Sequence, residues 1–172
     1  MIYEPAEDSC LLEKYIKYYA KKKKVLDMGT GSGILAREAL KYTDDVVASD
    51  INRECLKKLR NIRAMHSDLF GNIKEKFDLI IFNPPYLPKD KREDQESALS
   101  TSGGKRGYEI IERFINELKN HLKTDGKALI VISSLTGKRK VESIIRKNGL
   151  ALKILEEVKL PFFEKLYCYL IS

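Results

Sequence analysis

The sequence has no tryptophan, one glutamine at position 95, two histidines and three cysteines. Cys10, Cys55 and Cys168 are far apart and form no CxxC pair, which argues against a disulfide framework or a zinc site. The histidines are isolated from one another as well, so no metal site is predicted. Cysteines of this kind are typical of reduced thiols in a cytoplasmic protein. No apolar run reaches the ~18 residues that a membrane-spanning helix needs, so no membrane association is predicted.

Basic residues are in excess, with 32 lysines and arginines against 25 acids, a formal net charge of +7 and a pI of about 9.2. A positive net charge speeds the encounter with acidic partners such as nucleic acid. A lysine-rich solvated surface gives the same figures, so the charge alone leaves both interpretations open.

Hydrophobic periodicity predicts alternating helices and strands. Helices are predicted over 6–20, 34–41, 52–60, 107–122 and 137–147. Strands are predicted over 25–28, 46–49, 62–66, 77–82, 128–133, 152–158 and 166–171. The alternation is typical of a parallel sheet, whereas the last two strands leave no room for a crossover helix and must form an antiparallel hairpin. We therefore expect a single Rossmann-like α/β domain over 1–172, with 1–24 as an N-terminal helical segment.

The connection over 86–107 has no apolar periodicity and carries charges of both signs. A loop of this length within a compact domain is usually functional or disordered. This connection begins at the end of an Asn-Pro-Pro-Tyr motif over 83–86, which follows the fourth predicted strand and is described below. For this reason we interpret the connection as a substrate loop.

A glycine-rich run, Asp-Met-Gly-Thr-Gly-Ser-Gly over 27–33, follows the first strand and opens a helix. A dinucleotide requires the pattern GxGxxG, and the sixth position here is Ile34. Asp27 would repel a pyrophosphate, but it can hold the ammonium group of a methionine moiety. The run therefore favours S-adenosylmethionine as the cofactor, with Asp27, Gly29 and Gly31 in its site.

Two further acids follow the second and third strands. Asp50 is placed to accept hydrogen bonds from ribose hydroxyls, although it could instead cap a helix that starts at Asn52. Asp68 can accept from the exocyclic amine of adenine while Leu69 packs on the ring, although Asp is also a common turn residue. Ile51, next to Asp50, is included in the predicted cofactor site.

The most specific signal is Asn-Pro-Pro-Tyr over 83–86, at the end of the fourth strand. The two prolines fix the backbone and remove two N–H donors. The Asn83 side-chain oxygen and the Pro84 carbonyl can then both accept from one NH₂ group. Tyr86, with Pro85 beside it, offers a face on which a planar substrate can stack. The alternative is a rigid turn that merely ends the strand.

Two acceptors on an NH₂ group localise the nitrogen lone pair, which makes a planar amide or aromatic amine a better nucleophile. No strong base is then required, because orientation and desolvation supply the rate. The pattern does not distinguish adenine, guanine or glutamine as the acceptor.

Six motifs occur in a characteristic order: Tyr-Glu-Pro-Ala-Glu-Asp-Ser over 3–9, the glycine loop, Ser-Asp-Ile-Asn over 49–52, Ser-Asp-Leu-Phe over 67–70, the Asn-Pro-Pro-Tyr motif, and Gly-Gly-Lys-Arg-Gly over 103–107. Together they resemble the eukaryotic and archaeal branch of the HemK-type glutamine methyltransferases. The resemblance covers essentially the whole chain. It implies the class I methyltransferase fold: seven strands in the order 3-2-1-4-5-7-6, with strand 7 antiparallel and helices on both faces.

The resemblance also implies a reaction, which is methylation of the glutamine in the Gly-Gly-Gln motif of the class I translation release factor, with S-adenosylhomocysteine as the second product. Protein-lysine methylation is implied as a possible second activity. The implied cofactor contacts are Ser9, Asp27, Gly29, Asp50, Asp68, Leu69 and Asn83. Asn83 is also expected to hold the glutamine amide. A small zinc-binding activator protein is expected to pair with the edge strand over 62–66.

A nucleic-acid amino-methyltransferase is the alternative function. The positive charge and the Asn-Pro-Pro-Tyr motif both fit it. The loop over 86–107 is mixed in sign rather than basic, and no nucleic-acid-binding module is recognised in the sequence. Direct nucleic-acid binding is therefore not expected, and a labelling experiment has to decide between the two.

Overall fold

The computed structural model describes residues 7–86 and 102–172, apart from the side chain of Phe162. The strands are β1 Val25–Met28, β2 Val46–Asp50, β3 Arg63–His66, β4 Phe77–Phe82, β5 Leu122–Ser133, β6 Leu152–Lys159 and β7 Lys165–Ile171. The helices are α1 Glu7–Tyr19, α2 Ile34–Ala39, α3 Arg53–Lys57, α4 Glu109–His121 and α5 Lys138–Lys147. Two 3-10 turns lie at Ser134–Thr136 and Pro161–Phe163.

The strands form one seven-stranded sheet in the order β3-β2-β1-β4-β5-β7-β6. β7 is antiparallel to both β5 and β6, and the other pairs are parallel. The predicted strand order and the antiparallel seventh strand are confirmed. In the register of the sheet Met28 lies beside Phe82, so β1 and β4 end next to each other at the carboxyl edge.

Both faces of the sheet are covered, which explains why β4 is apolar along nearly its whole length. Ile80 and Phe82 belong to the core cluster on the side of α4, where the rings of Phe82 and Phe114 lie 4.7 Å apart. Ile81 belongs to the cluster on the side of α1 and α2. Tyr86 packs against both clusters, so it sits where the two layers meet above the end of β4.

The start of β5 differs from the prediction, which placed the strand over 128–133. The strand begins at Leu122, which pairs with Phe77, and the register then shifts before Leu79 pairs with Lys127. Asp125 has a φ of 62° within the shifted segment. The irregular segment is polar and breaks the apolar alternation, so the prediction of a strand starting at 128 was wrong.

β3 lies at one edge of the sheet, as the expected strand order requires. Arg63 and Ala64 are exposed, Met65 and His66 are half-buried, and Ile62 is buried. The exposed part of this edge is therefore basic and small rather than broadly apolar. Within the described ranges no helix is long and apolar enough to cross a membrane.

Candidate functional site

The glycine loop joins β1 to α2 through backbone conformations that favour glycine. Gly29 and Gly33 have φ values of 62° and 79°. A Cβ atom on Gly33 would lie 2.3 Å from Cδ2 of Leu59, so the position has no room for a side chain. The Thr30 N–H donates to the Ser49 carbonyl oxygen at 2.9 Å and ties the loop to β2. Packing and conformation thus explain why these positions carry glycine.

Asp27, the penultimate residue of β1, has a hydrogen-bond partner for only one of its two carboxylate oxygens. Its Oδ2 accepts from the Thr30 hydroxyl at 2.6 Å and from the Ala36 N–H at 3.0 Å. Its Oδ1 is buried and has no hydrogen-bond partner. Burial raises the pKa of Asp27 to about 7, despite the two hydrogen bonds that lower it. A buried acceptor of this kind is costly unless a donor, and above all a cationic one, satisfies it.

Asp50 is held at the end of β2 by backbone donors. Its Oδ2 accepts from the Gly31 N–H at 2.8 Å, and its Oδ1 accepts from the Asn52 N–H at 2.7 Å. Each carboxylate oxygen has a second lone pair, so acceptor capacity remains for hydroxyl groups. The N-cap of α3 is Asn52, whose side chain accepts from the Glu54 N–H. The alternative of Asp50 as the helix cap is therefore wrong.

Asp68 and Leu69 lie in a turn after β3. The Gly71 N–H donates to the Asp68 carbonyl oxygen at 3.0 Å, while the Asp68 side chain is exposed and pairs with Arg113 of α4 at 2.9 Å. Leu69 is buried, with a φ of 47°. Ile51 is 46% exposed beside Asp50, and it offers an apolar surface at the same edge of the sheet. The contact with Arg113 was not predicted, because no local pattern joins residues 45 positions apart.

Asn83 follows β4 with its carboxamide oriented by α1. Its Nδ2 donates to the Ser9 hydroxyl oxygen at 3.1 Å, and its Oδ1 is buried without a hydrogen-bond partner. Ser9 was predicted only as a cofactor contact, and here it touches Asn83 directly. Pro84 is buried behind it, whereas Pro85 is half-buried.

Tyr86 is anchored on two sides. Its hydroxyl donates to Oδ2 of Asp8 at 3.1 Å, and its carbonyl oxygen accepts from the Thr136 hydroxyl at 3.4 Å. A Cβ atom on Gly103 would lie 2.7 Å from the Pro85 carbonyl oxygen, so the 103–107 turn packs closely on the motif. The contacts of Asp8 and Thr136 with Tyr86 were not predicted, because nothing in the local sequence pattern indicates partners so far apart in the chain. The rest of the predicted loop, 87–101, lies outside the described residues, as do positions 3–6.

Two side-chain oxygens stand out within residues 7–86 and 102–172. Asp27 Oδ1 and Asn83 Oδ1 are the buried side-chain polar atoms of those ranges that lack a hydrogen-bond partner. They lie at the carboxyl ends of β1 and β4, which are adjacent in the sheet. In open α/β sheets ligands bind at this edge. The fold thus brings a buried carboxylate and a buried carboxamide together in a place suited to a ligand with N–H donors.

The family model for the methyltransferase small domain matches residues 8–154. The chain belongs to the methyltransferase small domain family. The matched range contains the glycine loop and the Asn-Pro-Pro-Tyr motif, so the site described above belongs to the family domain. The methyltransferase fold predicted from the motifs is confirmed.

Two relatives align with most of this chain. The methyltransferase is 42% identical over 174 residues to a Methanocaldococcus jannaschii protein named as a candidate protein N5-glutamine methyltransferase, with 95% of this chain and 88% of that protein covered. A release factor glutamine methyltransferase of Streptococcus pneumoniae is 32% identical over 141 residues, with 72% of this chain and 50% of that protein covered. The chain thus spans most of its archaeal relative and about half of the bacterial one.

A solved structure shares nearly the whole fold. The E. cuniculi Mtq2–Trm112 complex, described as responsible for methylation of the eRF1 translation termination factor, has a chain that superimposes with a TM-score of 0.83 at 28% identity. The match covers 99% of this chain and 98% of that one. The predicted resemblance to the glutamine methyltransferases is confirmed by these relatives.

Proposed function

We propose that this methyltransferase uses S-adenosylmethionine to methylate the side-chain amide nitrogen of the glutamine in the Gly-Gly-Gln motif of a class I translation release factor. The observation that carries the proposal is the pair of buried, unpartnered oxygens, Asp27 Oδ1 and Asn83 Oδ1, on adjacent strand ends. A site built for N–H donors on both sides suits an ammonium-bearing cofactor and an amide substrate. The names of the relatives support glutamine as the acceptor.

The residues at the ends of β1, β2 and β3 form the cofactor half of the site, and they fit this cofactor. Asp27 offers its unsatisfied oxygen to the ammonium group, and Asp50 retains lone pairs for the ribose hydroxyls. The exposed Asp68 would accept from the exocyclic amine of the adenine, and Leu69 would pack on the ring, with the partly exposed Ile51 beside it. When bound, S-adenosylmethionine supplies a methyl group on a positively charged sulfur.

The Asn-Pro-Pro-Tyr motif forms the acceptor half of the site, which is proposed to orient the substrate. Asn83 Oδ1 is proposed to accept a hydrogen bond from the glutamine NH₂ group, which raises the electron density on the nitrogen and orients it towards the methyl group. The Pro84 carbonyl is proposed as a second acceptor, and the anchored Tyr86 ring as a wall for the planar amide. Positioning of this kind is worth roughly 7–11 kcal/mol in intramolecular reactions, so the rate does not require a strong base. The N–CH₃ bond would form as the S–CH₃ bond breaks, S-adenosylhomocysteine would be released, and the amide nitrogen would give one proton to solvent.

An apolar surface near the site supports a polypeptide rather than a small-molecule substrate. Leu135 is 52% exposed and Phe163 is fully exposed. Leu135 precedes Thr136, whose hydroxyl donates to the Tyr86 carbonyl oxygen at 3.4 Å. Phe163 lies two residues before Lys165, whose N–H donates to the Ser134 hydroxyl oxygen at 3.0 Å, so the two apolar side chains stand on segments linked to the end of the motif. We propose that Leu135 and Phe163 contact residues of the release factor that flank the glutamine.

A small zinc-binding activator is proposed to add to the sheet at β3. An open edge strand offers unpaired backbone groups to a partner. The similarity to a protein solved in complex with Trm112 supports this part of the proposal. The exposed Arg63 and Ala64 would lie in the interface. We expect the isolated chain to be weakly active or poorly soluble.

The deciding experiment supplies labelled S-adenosylmethionine with three acceptors: the intact release factor, a Gly-Gly-Gln peptide and ribosomal RNA. Each is tested with and without the activator subunit, and mass spectrometry locates the methyl group. We expect label on the glutamine of the release factor. Label in RNA alone would overturn the proposal in favour of the nucleic-acid alternative, and label on lysine alone would change the acceptor.

A further inference from the structure

The first turn of α1 contacts both polar residues of the Asn-Pro-Pro-Tyr motif. The Ser9 hydroxyl oxygen accepts from Nδ2 of Asn83 at 3.1 Å. Oδ2 of Asp8 accepts from the Tyr86 hydroxyl at 3.1 Å. Asp8 and Ser9 are 2% and 3% exposed, so both contacts are made away from water. Two consecutive residues of one helix thus hold the two side chains on which the proposed reaction depends.

The contact with Ser9 bears on how the Asn83 carboxamide is turned. A carboxamide has two orientations that exchange its oxygen and its NH₂ group. In the observed orientation the NH₂ group points to Ser9, and the oxygen is left without a hydrogen-bond partner. The opposite orientation would present a donor to the donor of a substrate amide. Only the observed orientation can accept a hydrogen bond from the substrate.

The serine hydroxyl holds the carboxamide in place, and alanine at position 9 would remove that hydrogen bond. Neither orientation of the carboxamide would then have a partner at position 9, so the side chain could exchange between the two. An unmade hydrogen bond in a largely buried place is also costly. The enzyme would keep its fold and its cofactor site, but Asn83 would present its oxygen to the substrate only part of the time.

Asp8 holds the side chain of Tyr86 in the same way, through a hydrogen bond to the tyrosine hydroxyl. Its Oδ1 accepts from the Ser9 N–H at 2.6 Å while its Oδ2 holds the tyrosine hydroxyl, so the carboxylate bridges the helix start and the motif. The Thr136 hydroxyl holds the Tyr86 backbone from the other side. The ring is therefore fixed at its tip and at its backbone, which limits the directions in which a planar amide could stack.

We infer that Asp8 and Ser9 are positioning residues, which hold the Asn83 carboxamide and the Tyr86 ring in place for transfer to an amide nitrogen. The inference rests on the proposed function. It assigns Ser9 a task on the acceptor side in place of the cofactor contact that the family resemblance implies, and it gives Asp8 a task as well.

The test compares Ser9→Ala with Ser9→Thr, which restores the hydroxyl, and with Cys10→Ala, a matched change at an exposed position of the same helix. The readouts are kcat and KM with the release factor substrate and the cofactor dissociation constant by calorimetry. For Ser9→Ala we expect kcat to fall about 10- to 100-fold, the loss that follows from one buried hydrogen bond. Cofactor affinity should stay within about twofold, since the bond lies on the acceptor side. Ser9→Thr should recover most of kcat.

A second pair, Asp8→Ala and Tyr86→Phe, removes the other contact from either end. Both should lower kcat by similar factors, and the double variant should lose little more than either single one. An unchanged kcat in Ser9→Ala, or a cofactor affinity that falls as far as kcat, would overturn the inference and leave the proposed function standing. A wild-type enzyme that transfers nothing to glutamine would instead overturn the proposed function, and this inference with it.

Discussion

The two halves of the site are held together in different ways. In the cofactor half, the bonds to Asp27 and Asp50 join residues that are 2 to 19 positions apart. In the acceptor half, the side-chain bonds of Asn83 and Tyr86 join residues that are 74 and 78 positions apart. The first half is thus a local product of a strand and the loop that follows it. The second exists only once α1 has docked on the sheet.

This difference has a practical consequence. A change in α1 or at the end of β4 should disturb the transfer step while leaving cofactor binding largely intact. A change in the glycine loop or at Asp27 should do the reverse. Substitutions in each half can break this separation, and the largest effect is expected at Asn83.

Asn83→Ala removes the proposed acceptor for the substrate NH₂ group. Removing one preorganised hydrogen-bonding group at a reacting centre lowers kcat by about 10²–10³-fold in comparable cases, and we expect a loss of this size. The cofactor dissociation constant, measured by calorimetry, should change little. Asn120→Ala, at an exposed position of α4, is the matched control. Retained transfer in the Asn83 variant would contradict the mechanism.

Asp27→Asn keeps the shape of the side chain but removes its charge. The amide can still accept from the Thr30 hydroxyl, so the loop should remain folded. A hydrogen bond to a charged group contributes about 1.5–3 kcal/mol, so we expect cofactor affinity to fall by about 10- to 100-fold. Asp44→Asn, on the exposed surface before β2, serves as the control. Equal affinity in both variants would remove Asp27 from the cofactor site.

Cofactor affinity should also depend on pH. The pKa of Asp27 is raised to about 7 by burial, so the carboxyl group is increasingly protonated below neutrality when no ligand is bound. A bound ammonium group favours the ionised form, so binding below pH 7 must release a proton. The dissociation constant should therefore rise towards tenfold for each pH unit below about 7. Asp27→Asn should abolish this dependence, which calorimetry in buffers of different ionisation enthalpy can check.

Phe163→Ala tests whether the hairpin between β6 and β7 contacts the protein substrate. Truncating one exposed interface aromatic costs about 1 kcal/mol in many interfaces, so KM for the intact release factor should rise roughly fivefold. A short Gly-Gly-Gln peptide should be unaffected, because it does not reach the hairpin. Tyr18→Ala, which removes an aromatic ring that is 66% exposed near the end of α1, is the control. Equal effects on peptide and protein would count against docking at this hairpin.

Arg113→Ala should have the smallest effect. The pair between Arg113 and Asp68 is about half exposed on both sides, and such surface pairs contribute roughly 0–1 kcal/mol. Cofactor affinity should therefore change by less than about fivefold. A much larger loss, not seen with Lys119→Ala on the same helix, would mean that Arg113 itself contacts the ligand.

The fold was largely predictable because its signals are local. A four-residue strand, three glycines and a short helix follow one another as β1, the loop and α2, and each has a local pattern in the sequence. The antiparallel β7 followed from the short connection around Pro161, which cannot hold a crossover helix. The start of β5 was not predictable in this way, since Asp125 and Gly126 interrupt the apolar alternation with a register shift.

The acceptor half of the site was predictable as a motif but not as a geometry. The sequence identified Asn83 and Tyr86, but a contact between residues more than seventy positions apart has no local pattern. The exposed partner of Asp68 was missed for the same reason, since Arg113 lies on the polar face of α4 like any solvated cation. Predicting these contacts requires the position of α1 and α4 on the sheet, which packing decides.

The reversal of β7 returns the chain to the carboxyl edge of the sheet at the point where Ser133 and Ser134 hold Glu164 and Lys165. The turn at this point closes on itself, since the Leu160 N–H donates to the Glu164 carbonyl oxygen. A lineage could therefore lengthen or shorten this hairpin without moving Asp27 or Asn83. Changes in this hairpin could alter which macromolecule is modified. They would leave the reacting groups unchanged.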